Sequence, residues 1–450
     1  MKSTLLYILL PAIFLMGACT LQKKIATVAN KTLISDSTFM QSHVGIAIHD
    51  PETKKNIYGY QSNKLFTPAS NTKILSCYAA MKYLPAFLPA AYLTNLDTAV
   101  LITPTGDPSF LQPDFNSHPL FDKLKSINKP IYIKQDNWKT PALGLGWSWD
   151  DYSEYYMTER SAFPVYGNQI HWYQEKGKKD NPTYPGDTVD LFIYSNPEVN
   201  WPVKFGTGLR NAFYVERARD ENAFTLNEGK EKSAMESVPY ITKGIETGLK
   251  LLKDSLGKEI QLADERMVLL GKKIKADTIY SQPTDTLLKI MMHRSDNFYA
   301  DQCLAMVGQQ RFQMMDEEVL IREMLSNELA GFPQKPTWVD GSGLSRYNLF
   351  SPEDMVFILD KIKTEQSWER IKTIFPKAGE GTLSMYKSKN EVYIYAKTGS
   401  MGGVLALSGY LYTQKKKWLI FSIMVDNTKA SNAKIRNQIN EFLLKTAELY

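Results

Sequence analysis

The stretch Val392-Tyr393-Ile394-Tyr395-Ala396-Lys397-Thr398-Gly399-Ser400-Met401-Gly402-Gly403, running on into Val404-Leu405-Ala406-Leu407-Ser408-Gly409-Tyr410-Leu411-Tyr412, decides the fold. Val392, Ile394 and Ala396 alternate into Lys397-Thr398-Gly399, the pattern of a strand, and Val404–Tyr412 reads as a second strand. Residues 418–425 read as a third, with Lys415-Lys416-Lys417 at the hairpin turn. At the other end of the chain Val44, Ile46 and Ile48 alternate, Asp50-Pro51 marks a turn and residues 57–60 return, which is a hairpin. After Ser431, a natural N-cap, Ile435, Ile439, Phe442 and Leu443 fall on one side of a helix. Two N-terminal and three C-terminal strands therefore complete one antiparallel sheet covered by helices, an α+β arrangement in which both chain ends belong to one domain.

Working outward, Phe66-Thr67-Pro68-Ala69 leads to Ser70, after which Ile74, Tyr78 and Met81 recur at helical spacing, with Leu75 and Leu84 on a neighbouring face. Ser70 is thus expected at a helix start. The next polar cluster, Ser295-Asp296-Asn297, lies 225 residues beyond Ser70. That interval holds Pro, Asn, Asp and Tyr, short β-like runs at 130–134 and 189–194, and a helical stretch expected over 238–256. The expected division is a signal peptide at 1–18, a sheet domain in two parts at 19–88 and 284–450, and an inserted region at 89–283 with a possible nested module at 165–237.

Three motifs carry chemistry: Ser70-Asn71-Thr72-Lys73, Ser295-Asp296-Asn297 and Lys397-Thr398-Gly399. Three residues apart on a helix, Ser70 and Lys73 share a face, so the amine reaches the hydroxyl. A serine hydroxyl is a poor nucleophile until a base takes its proton, and a lysine can do so only when neutral. A second cation, Lys397, favours that state. The N–H of Ser70 and the N–H of Ser400 form the two halves of an oxyanion hole. Ser295 relays protons, Asn297 holds a substrate amide and Asp296 fixes the loop. Lys397 and Thr398 offer a charge and a hydroxyl to a carboxylate, while Gly399 lets a ligand backbone approach the strand edge.

Composition sets the bounds. The 450 residues, 43% hydrophobic and 22% charged with a net charge of +5, suit a globular chain with a sizeable core and give no reason to expect a nucleic-acid partner. The N-terminus carries Lys2, an apolar run over 5–16, and Gly17-Ala18-Cys19 before polar residues. This is a signal peptide, too short to span a membrane. Small residues before Cys19 resemble a bacterial lipobox, although Met16 and Gly17 depart from its commonest form. The expectation is an exported, periplasmic protein anchored to the membrane by a lipid on Cys19, with ordinary signal cleavage as the alternative. Cys77 and Cys303 read as buried apolar thiols, with a bridge as the alternative. Five scattered histidines (His43, His49, His118, His171, His293) offer no ligand spacing with them, so no metal and no cofactor are expected.

The ordered motif set is that of penicillin-binding proteins and class A β-lactamases. With these residues placed, the chain resembles the class C low-molecular-mass penicillin-binding proteins, the D-alanyl-D-alanine carboxypeptidase/endopeptidase group. The resemblance extends to Thr72-Lys73-Ile74-Leu75, Ala79-Ala80-Met81-Lys82-Tyr83-Leu84, Gly106-Asp107-Pro108, Gly146-Trp147-Ser148-Trp149-Asp150-Asp151, Asp340-Gly341-Ser342-Gly343-Leu344-Ser345-Arg346 and residues 396–410. The large insertion is itself a mark of the group. It implies a penicilloyl-serine transferase (β-lactamase-like) domain with a five-stranded antiparallel sheet, plus an inserted region of one or two smaller domains. It further implies peptidoglycan stem peptides as substrates, an acyl-enzyme on Ser70, and β-lactams as inhibitors. Trp147, Asp150 and Met401 match a pocket for the stem-peptide side chain, where an acidic residue suits the ammonium of diaminopimelate. The chain departs from the group at Thr103-Pro104-Thr105-Gly106, in place of a glycine-rich run, and at Ser400, where threonine is common.

Two other readings stay open. A β-lactamase would need a group to activate water, and Glu323-Met324-Leu325-Ser326-Asn327 only superficially resembles a class A loop, fitting a helix surface better. A catalytically silent peptidoglycan-binding lipoprotein would gain nothing from a nucleophile beside its base. Carboxypeptidase and endopeptidase activities share one acyl-enzyme, so the motifs do not separate them.

Overall fold

The computed structural model describes residues 21–178, 189–208 and 210–450; the expected signal peptide and Cys19 lie outside them. Two compact units are formed. The first runs to Tyr78 and takes in Leu288–Asp296 and Ile321–Tyr450; the second comprises Ala79–Leu287 and Asn297–Leu320.

The first unit is built on the expected five-stranded sheet, in the order Tyr393–Met401, Val404–Tyr412, Trp418–Asp426, His43–Asp50 and Lys55–Tyr60, antiparallel throughout. Its two ends meet in register, His43 opposite Asp426 and Ile46 opposite Ile423. Val404–Tyr412 and Trp418–Asp426 are buried almost end to end. They carry apolar side chains on both faces because both faces are covered, so strict alternation is lost. One face packs Ile46, Leu407, Phe421 and Ile423 with Ile435, Ile439, Phe442 and Leu443 of the helix Asn432–Leu449 and with Ile25, Ala29 and Leu33 of the first helical segment. Ser431 caps that last helix, accepting the Lys434 N–H.

The opposite face bears small residues, Gly45, Ala47, Ala406, Ser408 and Ser422, which let covering segments come close. A Cβ on Gly45 would stand 2.5 Å from the Phe66 ring and 2.8 Å from Pro352. The helix Pro352–Glu365 begins in a capping box, in which Ser351 and Asp354 satisfy each other's backbone N–H, and Pro352 occupies its first turn. The Tyr410 hydroxyl donates to the Leu359 carbonyl at 2.8 Å and fixes this helix to the sheet. Alternation puts Lys397, opposite Ser408, on this same face.

The second unit contains a mixed sheet in the order Ile260–Leu262, Ile131–Ile133, Val100–Pro104, Phe87–Asn95 and Asp277–Pro283. Leu93, Ile102, Ile131 and Ile133 pack there with Leu120, Leu124, Leu249 and Leu252. Two three-stranded sheets follow. One pairs Gln169–Lys178 with Val189–Asn196 and Ser233–Pro239; the other pairs Phe224–Asn227 with Val203–Phe205 and Tyr214–Arg217. Trp172, Phe224, Val238 and Tyr240 form their core.

The helix expected over 238–256 is shorter. Val238 and Pro239 end the strand Ser233–Pro239, and the helix covers Glu246–Leu256. Lys243 and Gly244 between them both have positive φ (49° and 77°), a left-handed kink that no helix continues through. Cys77 and Cys303 are both buried, as thiols rather than as a disulfide. Among the described residues no helix is long and apolar enough to cross a membrane.

Candidate active site

Ser70 lies in a 3-10 turn, Ala69–Thr72, that feeds the α-helix Lys73–Tyr83, one turn short of the expected α-helical start. The turn is held from several sides. Ala69 has φ +45°, a left-handed conformation costing roughly 1–3 kcal/mol for a residue with a Cβ. Its carbonyl accepts the Thr72 hydroxyl at 2.9 Å, and the Asn71 N–H donates to the Pro68 carbonyl at 3.1 Å. The Asn71 carboxamide then donates to the Lys397 carbonyl at 3.0 Å, tying the nucleophile turn to the strand.

The Lys73 ammonium is fully buried, 3.0 Å from the Ser70 hydroxyl and 2.6 Å from the Ser342 carbonyl. The carbonyl comes from a tightly organised loop. The Asp340 carboxylate, itself buried, accepts the N–H groups of Gly343 (2.8 Å) and Ser345 (2.7 Å) and the Asn348 carboxamide (2.8 Å). Gly343 has φ +80° and no room for a side chain, since a Cβ would run into the Ala69 carbonyl. Ser76, one turn beyond Lys73, donates to the Gly341 carbonyl at 2.6 Å.

Lys397 is also fully buried and donates to the Ser295 hydroxyl and the Thr398 carbonyl, both at 2.8 Å. Burial pushes its ammonium well below the ordinary lysine value, and the charge of Lys73 pushes it further the same way. Ser295 sits at φ +63° at the end of a π-turn, Met291–Ser295, where the wide turn redirects the chain. Gly381 backs onto the same turn, with a Cβ position 2.5 Å from the His293 carbonyl. Asp296 pairs with Arg294 at 2.9 Å, in keeping with its expected role in the loop.

Tyr393–Met401 is the edge strand of its sheet. The Ala378 N–H donates to the Ile394 carbonyl and the Ala396 N–H donates to the Pro376 carbonyl, covering the first half of the outer edge. Alternation by two then turns the backbone groups of Thr398 and Ser400 to that outer side. Thr398 is buried, Ser400 exposed and Met401 half-buried. Gly399 has a reason other than ligand approach: a Cβ there would overlap the Pro68 carbonyl oxygen and stand 3.0 Å from the Asn71 carboxamide nitrogen.

Asn297 opens the helix Asn297–Phe312 of the second unit, and its carboxamide donates to the Tyr156 carbonyl at 2.9 Å. In that unit Trp147 lies under the Arg160 guanidinium, 5.1 Å away, and against Gly144. Arg160 forms a buried ion pair with Glu317. Asp150 is exposed in the turn Trp149–Asp151, where the Ser148 hydroxyl donates to it at 2.6 Å and holds its carboxyl below the usual carboxylate range.

The structure therefore brings Ser70, Lys73, Ser295, Lys397 and the edge from Thr398 to Met401 together in one unit, and places Trp147, Asp150 and Asn297 in the other. Sequence reasoning gave no role to Asn71, Ser342 or Asp340. For Asp340 and Ser342 the Asp-Gly-Ser-Gly run at 340–343 was the signal, since Asp and Gly together mark a turn built on side-chain to backbone bonds. Among the described residues no cluster of three or more His, Cys, Asp or Glu could hold a metal ion.

Known proteins share this architecture and sequence. D-alanyl-D-alanine carboxypeptidase DacB of Haemophilus influenzae is 24% identical over 426 residues, 84% of each chain. Penicillin-sensitive carboxypeptidase A of Dictyostelium discoideum is 23% identical over 442 residues, 86% of this chain and 83% of its own. Among solved structures, penicillin binding protein 4 of Haemophilus influenzae has the same fold, with a TM-score of 0.69 at 21% identity over 93% of this chain and 99% of that one. The sequence profile of the D-Ala-D-Ala carboxypeptidase 3 (S13) family matches residues 25–446, from the first helical segment to the last helix and through all three motifs, and the chain belongs to that family.

Proposed function

We propose that the chain is a serine-type D-Ala-D-Ala carboxypeptidase/endopeptidase that acts on peptidoglycan stem peptides through an acyl-enzyme on Ser70 and is inhibited by β-lactams. The observation that carries this reading is a double hydroxyl–amine couple in one unit: Ser70 with Lys73 at 3.0 Å and Ser295 with Lys397 at 2.8 Å. Neutral Lys73 takes the Ser70 proton as the oxygen bonds to the scissile carbonyl carbon. The carbonyl electrons move to its oxygen, which meets the N–H groups of Ser70 and Ser400. Collapse breaks the C–N bond, and the leaving amine of the terminal D-alanine takes its proton through Ser295. Water then repeats the steps in reverse and frees Ser70.

The terminal carboxylate meets Lys397 and Thr398. A carboxylate there favours the charged form of Lys397, opposing the effect of burial, and a charged Lys397 in turn favours neutral Lys73. Substrate arrival thus prepares the base. Asn297, Gly399, Trp147, Asp150 and Met401 keep the substrate contacts implied by the family resemblance, and the exposed, ionised carboxylate of Asp150 supports a role in meeting an ammonium.

The β-lactamase reading finds less support. Glu323 lies on the helix Glu317–Ser326, and its carboxylate accepts the Asn327 carboxamide at 3.0 Å. Export and acylation of Cys19 belong to the proposal as well; labelled palmitate incorporated by the parent and lost in Cys19→Ala tests them.

The deciding experiment incubates the purified chain with a stem pentapeptide, with cross-linked muropeptides and with benzylpenicillin, reading products and adducts by mass. Loss of D-alanine or of cross-links, and a penicilloyl adduct that persists for minutes and is absent in Ser70→Ala, is expected. Cleavage of neither substrate together with no adduct sinks the reading.

A further inference from the structure

The exposed residues Ser148, Trp149 and Asp150 are bounded by two arginines. On the N-terminal side Arg160 covers Trp147. On the C-terminal side stands Arg217, at the end of the strand Tyr214–Arg217, only 3% exposed. Its guanidinium donates to backbone carbonyls: Nε to Pro239 (2.8 Å), Nη1 to Ala218 (2.8 Å) and Arg219 (3.2 Å), and Nη2 to Tyr152 (2.9 Å). It also lies over the Tyr152 ring at 5.4 Å, and its own N–H donates to the Ser153 hydroxyl at 2.8 Å.

A buried guanidinium is tolerated only when its donors are matched, and here carbonyls do the matching in place of a bidentate carboxylate. That arrangement has a geometric effect. One rigid fork joins the ends of two strands, Tyr214–Arg217 and Ser233–Pro239, to Tyr152, two residues past Asp150. Lysine, with a single tetrahedral nitrogen, cannot reach carbonyls on all these sides at once.

We propose that Arg217 is a positioning residue for Asp150: it fixes the 152–153 end of the recognition turn and so sets where that carboxylate stands for the ammonium side chain of the stem peptide. The inference rests on the proposed role of Asp150. It assigns to the β-rich part of the second unit a share in substrate selection.

The test uses the full chain and two peptides ending in D-Ala-D-Ala, one with a free side-chain ammonium and one with that amine acetylated. Asp150→Asn is run first as the reference. Arg217→Met is expected to raise KM for the ammonium peptide by about two- to fivefold, the size of one exposed charge contact. Its kcat, its KM for the acetylated peptide and its rate of penicillin acylation at Ser70 should match the parent. Arg217→Lys and Ser153→Ala, which each remove part of the clamp, should show smaller shifts of the same kind and carry the test if Arg217→Met fails to fold. If Asp150→Asn leaves discrimination between the peptides unaltered, the underlying reading of Asp150 is wrong. If it abolishes discrimination while the Arg217 and Ser153 variants do not, or if those variants weaken both peptides equally, the positioning role is overturned.

Discussion

Gly399 rests against Pro68 so closely that the strand carrying Lys397 and the turn carrying Ser70 leave no space for one methyl group between them. The distance between the Ser70 turn and the edge bearing Thr398 and Ser400 is thereby set by a backbone-to-backbone contact. Gly399→Ala should separate the two by a fraction of an ångström or more. We expect acylation of Ser70 by penicillin to fall by about 100-fold with a stability loss of roughly 1–3 kcal/mol. Stopped-flow acylation and thermal melting measure both, and an Ala variant acylated at the parental rate would show that the contact is soft.

The lysine pair makes a prediction about pH. Because burial and Lys73 both push Lys397 down, the folded protein releases that proton below the ordinary lysine value of 10.5. Because the charged form of Lys397 is the one that meets a carboxylate and favours neutral Lys73, acylation should fall as pH rises through a midpoint lower than that value. Lys73→Met removes one of the two causes, so the Lys397 titration, followed by NMR of its labelled Cε, should move up while staying depressed by burial. A titration unmoved by the substitution would mean that the two ammonium groups do not sense each other.

Asp340 supports Lys73 at one remove, through the loop that presents the Ser342 carbonyl. Asp340→Ala leaves several buried donors without an acceptor, each worth about 1–3 kcal/mol. Denaturant unfolding should show a loss on the order of 3 kcal/mol or more, and Ser70 acylation should slow. Asp340→Asn, which keeps one oxygen acceptor in the same place, should cost less; a loss as large as that of Asp340→Ala would point to the charge of the carboxylate rather than to its hydrogen bonds.

Asp426 gives stability a pH dependence. Its carboxylate accepts the Thr67 N–H at 2.8 Å, three residues before Ser70, and burial raises its pKa from 3.8 to about 6. The native state then binds the proton more tightly than the unfolded chain between those values, so this contribution is full below pH 4 and is lost as pH rises through 6. Asp426→Asn keeps an oxygen for Thr67 and removes the charge. It should melt higher than the parent at pH 8, by on the order of 2–3 kcal/mol, with the gap closing towards pH 4. A gap of constant size would mean that the carboxylate is not the group responsible.

The sheet was legible because its strands alternate or run apolar between turn residues, and because Ser431 and Ser70 stand where helices begin. The Ser70–Lys73 couple was legible from its helical spacing, whereas the Ser295–Lys397 couple joins residues far apart in the chain and was not. The shortened helix at Glu246–Leu256 was not, because Val238 is equally at home at the end of a strand and the left-handed Lys243 leaves no compositional trace. Nor does any cue announce that Asn297–Leu320 packs with the second unit, two residues after a serine that belongs to the first. The roles of Asn71 and Ser342 depend on bonds across long sequence separations, and those of Arg160 and Arg217 on burial, which a single sequence does not reveal. Gly399 was read for what it admits from outside; its close contact with Pro68 inside the unit was not foreseen.

The pairing of His43 with Asp426 has a consequence for how the protein is made. The hairpin at 43–60 is synthesised long before Trp418–Asp426, the neighbour that completes its hydrogen bonding. Until that strand emerges, the outer edge of the hairpin is an open template for other chains. Lys397 emerges in the same late stretch, so a nascent chain carries Ser70 and Lys73 well before Lys397, and the Ser295–Lys397 couple closes only once segments distant in sequence have found each other.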